Sequence, residues 1–522
     1  MRWEYDGLPS DANGAFSSIW PSLIAAGPIP GNSPATGSLL GFVVPHNYVG
    51  PIPAGVFRNT YSTPARNTAP LDNFAPRMGF AWQPLIDHPW VVRAGAGYFY
   101  DRAAGGDTQV LYNAQPFEIS PTPSPTLTLA NPFDLPPTVP GPAGTPGFTP
   151  RWIDFANNTN SNINNPTVAE TWKTPLMYEW NLNTQYEFRP GLTLTLGYVG
   201  SRGIHEAYGN ASIYYNAAPL ASSTNPLHCG YDGVSTDCIT TSTAANVPSR
   251  VPNLGISPQA TQAASAGDYK FNSFQVTVRK QLSYGLQLEA SYTWSRAFQS
   301  QAFGVPNSPV SPTSVCCLGP NYVYGLNPNY RPQRLVLNYS WALPVVHPEG
   351  FAGKLVKGWS VSGVTIIQDG TPLNITDSRG GSAYGLASVP VSLGQYCPGM
   401  GARNIPTSGS LDHRVVTGYL NAAAFCAPPA VGADGSTGFG DAGLGTILGP
   451  GQDDWDISLA KMAKVGGLRE GATLQFRAEF FNAFNHPQFA NPVTNVNSAS
   501  FGQITSTSVN PRLIQFALKY AF

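Results

Sequence analysis

The constraint that most limits the fold is a two-residue periodicity, plainest in the last ten residues, LIQFALKYAF. Ile514, Phe516, Leu518, Tyr520 and Phe522 fall on one face of a strand; Leu513, Gln515, Ala517, Lys519 and Ala521 fall on the other. Strand side chains alternate between faces, so one face is greasy and aromatic and the other small and mixed. Termini are usually polar and frayed. An apolar strand that runs out to Phe522 fits a last strand that closes a sheet.

The same alternation recurs upstream. Met78, Phe80 and Trp82 oppose Arg77, Gly79 and Ala81, and Val92, Ala94, Ala96, Tyr98 and Tyr100 oppose Arg93, Gly95 and Gly97. Residues 178–186, 192–198, 274–278, 286–294, 335–343, 359–368, 455–459 and 474–480 repeat it, and residues 2–6 already alternate at the start. About twelve strands are expected. The gaps between them alternate in length: turns near 84–88, 189–191, 283–285, 344–357 and 465–467 against long loops such as 101–175 and 369–453. In a meander this puts every short turn at one end and every long loop at the other. Bacterial outer-membrane barrels have short periplasmic turns and long extracellular loops. Ten residues at about 3.3 Å, tilted about 40°, span about 25 Å, the height of such a barrel's apolar band. Aromatics concentrate near strand ends, as an interfacial girdle would. Arg334, Glu289, Arg477 and Glu479 on the other face imply a wet or plugged lumen. The expected fold is all-β, an antiparallel transmembrane β-barrel with long extracellular loops and a periplasmic C-terminus, in a Gram-negative type outer membrane. A buried terminal strand of a soluble, secreted β-protein is the competing reading.

Composition narrows the alternatives. Only 11% of the 522 residues are charged, against ~25% in an ordinary soluble domain, while 12% are aromatic. That balance fits a membrane wall and also a surface adhesin. The net charge is −1 and no basic run occurs, so nucleic acid is not an expected partner. No run of about 18 apolar residues exists, so no transmembrane helix is expected, which leaves a barrel untouched. The opening MRWEYDG has no apolar h-region and no small-residue cleavage site. The chain is therefore expected to begin inside a strand, as a fragment of a longer exported protein.

Candidate chemistry is sparse. Six cysteines fall in the expected loops; Cys229 with Cys238 and Cys397 with Cys426 are candidate disulfides, while Cys316 and Cys317 are adjacent and stay free or pair elsewhere. A metal site using His228 lacks the spaced His/Cys set that zinc requires, and no metal site is expected. Gly438 to Gly443 spells GxGxxG but follows no strand and opens no helix, so it is loop glycine. No HExxH or GxSxG string occurs, no cofactor is expected, and the chain is not expected to be an enzyme. Arg477 and Glu479, at i and i+2, are expected to form a lumen ion pair. Lys280 sits on the lipid-side parity at a strand end, where it can snorkel. Asn- and aromatic-bearing loops suit carbohydrate or peptide, or are simply solvated surface.

PRMGFAW, YVGSRG, FQVTVRKQLSYGLQLEASYTWSRA, RPQRLVLNYSW, GWSVSG, GPGQDDWDISLAK and LQFRAEFFNAFNHPQFANP with FGQIT together resemble the Oar-like β-barrel of TonB-dependent outer-membrane transporters. The resemblance implies a barrel of about 22 strands around an N-terminal plug, often preceded by a β-domain, and uptake of large ligands energised by the inner-membrane TonB complex. The whole of 1–522 then corresponds to the C-terminal portion of the barrel, about half its strands. Signal peptide, plug and N-terminal β-domain are not in this sequence, and contact with TonB would run only through those segments. Phe516, Leu518, Tyr520 and Phe522 would be the assembly signal read by the barrel-assembly machinery. Outer-membrane lipid and an unidentified extracellular ligand are the remaining expected partners. The alternative is a passive porin-like barrel or surface adhesin with no TonB coupling.

Overall fold

The structure, a computed structural model, describes residues 2–5, 10–24, 39–63, 65, 71–101, 116, 152, 166–229, 238–300, 320–344, 350–379, 381–386, 392–429, 438–465 and 471–522. A 13-stranded sheet dominates it. Eleven of its strands follow one another in chain order: β1 (Arg77–Trp82), β2 (Trp90–Tyr100), β3 (Leu176–Arg189), β4 (Leu192–Tyr214), β5 (Thr261–Ser283), β6 (Leu286–Ser300), β7 (Gln333–Ala342), β8 (Trp359–Gln368), β9 (Gln452–Lys464), β10 (Thr473–Phe481) and β11 (Leu513–Ala521). Every neighbouring pair is antiparallel. Two short strands join off this path, Thr167–Val168 beside β5 and Tyr324–Leu326 beside β6. Among the described residues no ladder joins β11 to β1, so the sheet is an open wall.

Register carries the apolar face across the wall without a break. One line of direct partners runs Phe80, Ala94, Leu182, Tyr198, Phe274, Trp294. Another runs Leu286, Trp341, Val361, Leu459, Ala478, Phe516. A slip of one residue in any strand would move its whole set to the other face. The other face carries Arg279 opposite Glu289, Glu289 opposite Asn338 and Glu479 opposite Gln515. Polar tips at the rims turn toward the strand ends: Tyr198 Oη donates to Asn272 Oδ1 at 2.6 Å, Trp455 Nε1 to Asp453 Oδ1 at 2.7 Å, and Trp359 Nε1 to the Leu355 carbonyl at 2.9 Å. Amphipathic aromatics behave this way where an apolar layer meets water.

The register also fixes a tilt. Starting from Trp82, at the short-connection end of β1, direct partners run Val92, Thr184, Leu196, Val276, Tyr292, Leu335, Ile367 and Asp453, at the long-connection end of β9. Eight steps of about 4.8 Å thus accompany a drift of about eleven residues of about 3.3 Å, a tilt of about 40°.

Short and long connections segregate by end. β3 and β4 are joined by Pro190 and Gly191, and β5 and β6 by Tyr284 and Gly285. Tyr284 (φ 50°) and Gly285 (φ 75°) are both left-handed, the geometry of a two-residue hairpin whose twist matches its strands. The medium connection between β7 and β8 carries the helix Gly350–Val356. Two apolar-face lysines bend into these short connections. Lys280 Nζ donates to the Ser283 carbonyl at 2.9 Å and the Leu286 carbonyl at 3.0 Å; Lys461 Nζ donates to the Leu355 and Lys357 carbonyls at 2.6 Å and 3.0 Å. Each keeps its stem on the apolar face and its charge at the rim.

The described residues of the long connections, with residues 10–24 and 39–63, form a packed layer at the other end. Ser18–Ile19, Phe42–Val44 and Phe57–Arg58 make a three-stranded sheet, and Ile19, Phe42, Val44 and Tyr48 pack with Trp152 and Ile256. A second cluster joins Tyr384, Leu386 and Phe439; a third joins Ile375, Ile405, Tyr419 and Leu420.

Two expectations shift. The first expected strand contributes only Arg2–Trp3, paired with Phe74–Ala75 in a separate two-stranded sheet, so the unbranched wall order has eleven strands and not twelve. β4 and β5 run to 23 residues each, well past Tyr198 and before Phe274. Their outer halves are polar and small, so apolar alternation does not mark them. The Asn-rich tract around 157–165 and Cys316 and Cys317 lie outside the described residues.

Candidate functional site

The concave regions among the described residues include one on the polar face of the wall and one in the loop layer. The first lies on the polar face of the wall, about 570 Å³, lined by Glu289, Asn338, Ser362, Asp456, Ser458 and Glu479 among others. β6 to β10 place these side chains at facing register positions, because every second residue of each strand points this way. Its carboxylates are partnered. Arg279 Nη2 reaches Glu289 Oε2 at 2.7 Å, Arg477 Nη1 reaches Glu479 Oε1 at 3.1 Å, and Asp456 accepts from the Asn482 backbone N–H at 3.0 Å. The expected Arg477–Glu479 pair is thus formed. Arg334, on the same face, lies opposite Thr293 and Gln368. Two of the three carboxylates that line this face are thus ion-paired, and the third is held by a backbone N–H.

The second region is a cup of about 460 Å³ where the long connections meet the wall, lined by Asn329, Arg331, Asn374, Gln452, Phe489 and Asn491 with several prolines. Asn491 Nδ2 donates to Thr371 Oγ1 at 3.2 Å, and Gln452 Nε2 to Ser508 Oγ at 2.9 Å. Sequence reasoning missed these residues, because they come from three separate loops and the start of β9 and share no periodicity. Asn and Gln crowded around 485–497 were the available signal.

The layer holding the cup is cross-tied. Arg250 is fully buried; its guanidinium donates to the carbonyls of Pro219, Thr243 and Ala383 and to Asn246 Oδ1. Burial lowers its pKa, yet an arginine stays charged. One cation therefore ties the connection after β4 to the connection after β8. Tyr322 Oη donates to the Gly440 carbonyl at 2.9 Å and accepts from the Leu393 N–H at 3.0 Å, and burial pushes its hydroxyl up to about 12. The GxGxxG string lies here as packing: Phe439, Ala442 and Leu444 are buried, and a Cβ on Gly440 would collide with the Leu393 carbonyl. Cys229 is bonded to Cys238 and Cys397 to Cys426, across 9 and 29 residues. His228 Nδ1 lies 2.7 Å from the Ser249 carbonyl, and burial lowers its pKa. Among the described residues no group of three or more His, Cys, Asp or Glu is arranged to hold a metal.

The closing-strand residues occupy one face of the free edge. Phe516, Leu518 and Tyr520 lie opposite Ala478, Phe476 and Leu474, with the Phe516 and Phe476 rings stacked at 6.2 Å. Phe522 extends past β11 with its ring 5.8 Å from Tyr520.

The outer membrane beta barrel domain family matches residues 1–515. No curated protein matches the chain. Among solved structures, the outer membrane transporter YddB from Escherichia coli aligns over 85% of this chain and 40% of its own, at 10% identity and a TM-score of 0.39. The siderophore receptor PiuA from Acinetobacter baumannii aligns over 85% and 35%, at 10% identity and a TM-score of 0.33. The chain thus spans well under half the length of these structures. With 515 of its residues matched, the chain belongs to the outer membrane beta barrel domain family.

Proposed function

We propose that the chain is the C-terminal wall portion of a TonB-dependent, Oar-like outer-membrane transporter. The long connections are extracellular and capture an unidentified ligand, the polar face lines the passage, and the short connections and the C-terminus face the periplasm. The two free edges of the wall are completed by further strands of a barrel of about 22. TonB acts through segments outside this sequence, and Phe516, Leu518, Tyr520 and Phe522 guide assembly. The role is transport and not catalysis. The observation that carries this reading is the unbroken apolar face across eleven strands, with every long connection at one end. The sequence motifs add the family resemblance.

The test is conductance of the intact protein, purified from outer membranes and inserted into planar bilayers. A plugged transporter gives no steady open-channel current until denaturant is added. Stable ohmic steps without denaturant would instead identify a passive pore and remove TonB coupling from the proposal.

A further inference from the structure

Beyond Tyr198, Phe274 and Trp294, the outward parity of β4, β5 and β6 continues into basic residues. Arg202 lies directly opposite Lys270, and Arg296 opposite Asn272. These positions stand two and four residues beyond the aromatic row, about 5 and 10 Å higher at the tilt of the wall. Arg202, Lys270 and Arg296 are exposed, whereas the alternating Gly203, Ser273, Ser295 and Ala297 are buried, so the charges face away from the loop layer. Lys173 is exposed close by, within electrostatic reach of His205.

Like charges directly opposite on a ladder are unfavourable. Arg202 is only half relieved, by Asp268 Oδ2 at 3.0 Å from its Nη2. Glu206 is half-buried within electrostatic reach of Asp101, and Glu179 is exposed in the hollow that Arg202 lines. The Lys270 ammonium has no hydrogen bond or ion pair among the described residues, and Arg296 lies by the Phe298 ring, 5.0 Å from its Cζ, within electrostatic reach of Tyr330. The short-connection end behaves in the opposite way. There Lys280 and Lys461 spend their ammonium protons on carbonyls of the turns.

We propose that Arg202, Lys270 and Arg296 bind the phosphate groups of lipid headgroups in the leaflet on the long-connection side. This rests on the reading of that end as extracellular. An anchored phosphate lies at the level just beyond the aromatic row, and each basic side chain near a membrane surface contributes attraction of the right size to retain it.

The experiment uses the full chain in detergent, with heat-modifiable gel migration confirming that each variant is folded. Native mass spectrometry then reads retention of lipid A carrying two phosphates against the same lipid with one phosphate removed. Wild type retains the two-phosphate form preferentially, and the triple variant Arg202→Gln, Lys270→Gln, Arg296→Gln retains it at least about tenfold less. Lys280→Gln leaves retention unchanged. Equal retention by the triple variant would overturn the proposal. So would displacement of the lipid by millimolar inorganic phosphate, which would mark a free-anion site. Loss of heat-modifiability in wild type would instead strike the membrane reading itself.

Discussion

The wall and the loop layer bury their residues by opposite rules. The largest fully buried side chains, Arg250, Phe16, Phe42, Ile19, Leu254, Ile256, Ile375, Leu386, Leu393 and Ile405, all lie outside the eleven wall strands. Within those strands large apolar residues are exposed: Met78 at 74%, Phe516 at 67%, Trp294 at 61%. A soluble protein with this surface would aggregate. In hydrocarbon the same surface is solvated, and the wall needs only its ladders satisfied. The loop layer stands in water and must build a core of its own. One chain therefore carries two folding problems with two solvents, and what stabilises one region does little for the other.

The largest expected effect separates the regions through covalent ties. Replacing Cys397 and Cys426 together with alanine should destabilise the loop layer by about 3–4 kcal/mol, since the loop they close is 29 residues. Limited proteolysis should cut between 380 and 430 while the wall keeps its heat-modifiable migration. If wall and loops fail together, the two regions are one cooperative unit. Next, Val276→Arg on the apolar face should cost about 2–4 kcal/mol of stability in bilayers, whereas Thr277→Arg, one residue on, should be near neutral. Urea titration in vesicles measures both, and equal costs would refute the assignment of faces. Tyr322→Phe removes the hydroxyl that serves Leu393 and Gly440. It should loosen the loop layer by about 1–3 kcal/mol and leave the wall untouched, as hydrogen exchange at the Leu393 amide would report.

The smallest effect is on pH. Burial holds the His228 imidazole below its ordinary value, partly opposed by the Ser249 carbonyl. The unfolded loop thus binds the proton more readily than the folded one. Its contribution is complete above about pH 6.5 and is lost as pH falls toward the folded pKa. Protease nicking near residue 228 should rise between pH 7.5 and 5 in wild type and stay flat in His228→Gln.

The same division explains what is legible in the sequence. Where the wall meets hydrocarbon, alternation is enforced at every second residue, so spacing alone assigns the faces of residues 178–186, 286–294 and 474–480 correctly. Where strands leave the apolar layer, as in residues 199–214 and 261–273, the outward face turns to Arg202 and Lys270, and an apolar pattern no longer marks it. Following parity past Tyr198 and Phe274 would have found both basic residues. The loop cores are illegible for a different reason. Ile256 and Leu386 are buried among residues from distant loops, and no local spacing announces such contacts. The mouth cup shares that property.

Tilt sets circumference. Strands about 4.8 Å apart and leaning about 40° each occupy about 6 Å of perimeter around an axis. Eleven of them unroll to about 70 Å. Bent into a ring on their own they would enclose a bore about 22 Å across from backbone to backbone, which inward side chains go far to fill. As half of a ring they enclose one about 44 Å across, wide enough to admit a small folded domain. The lean written into the register of Trp82 and Asp453 therefore makes the number of strands in the ring the quantity that decides what can sit inside it.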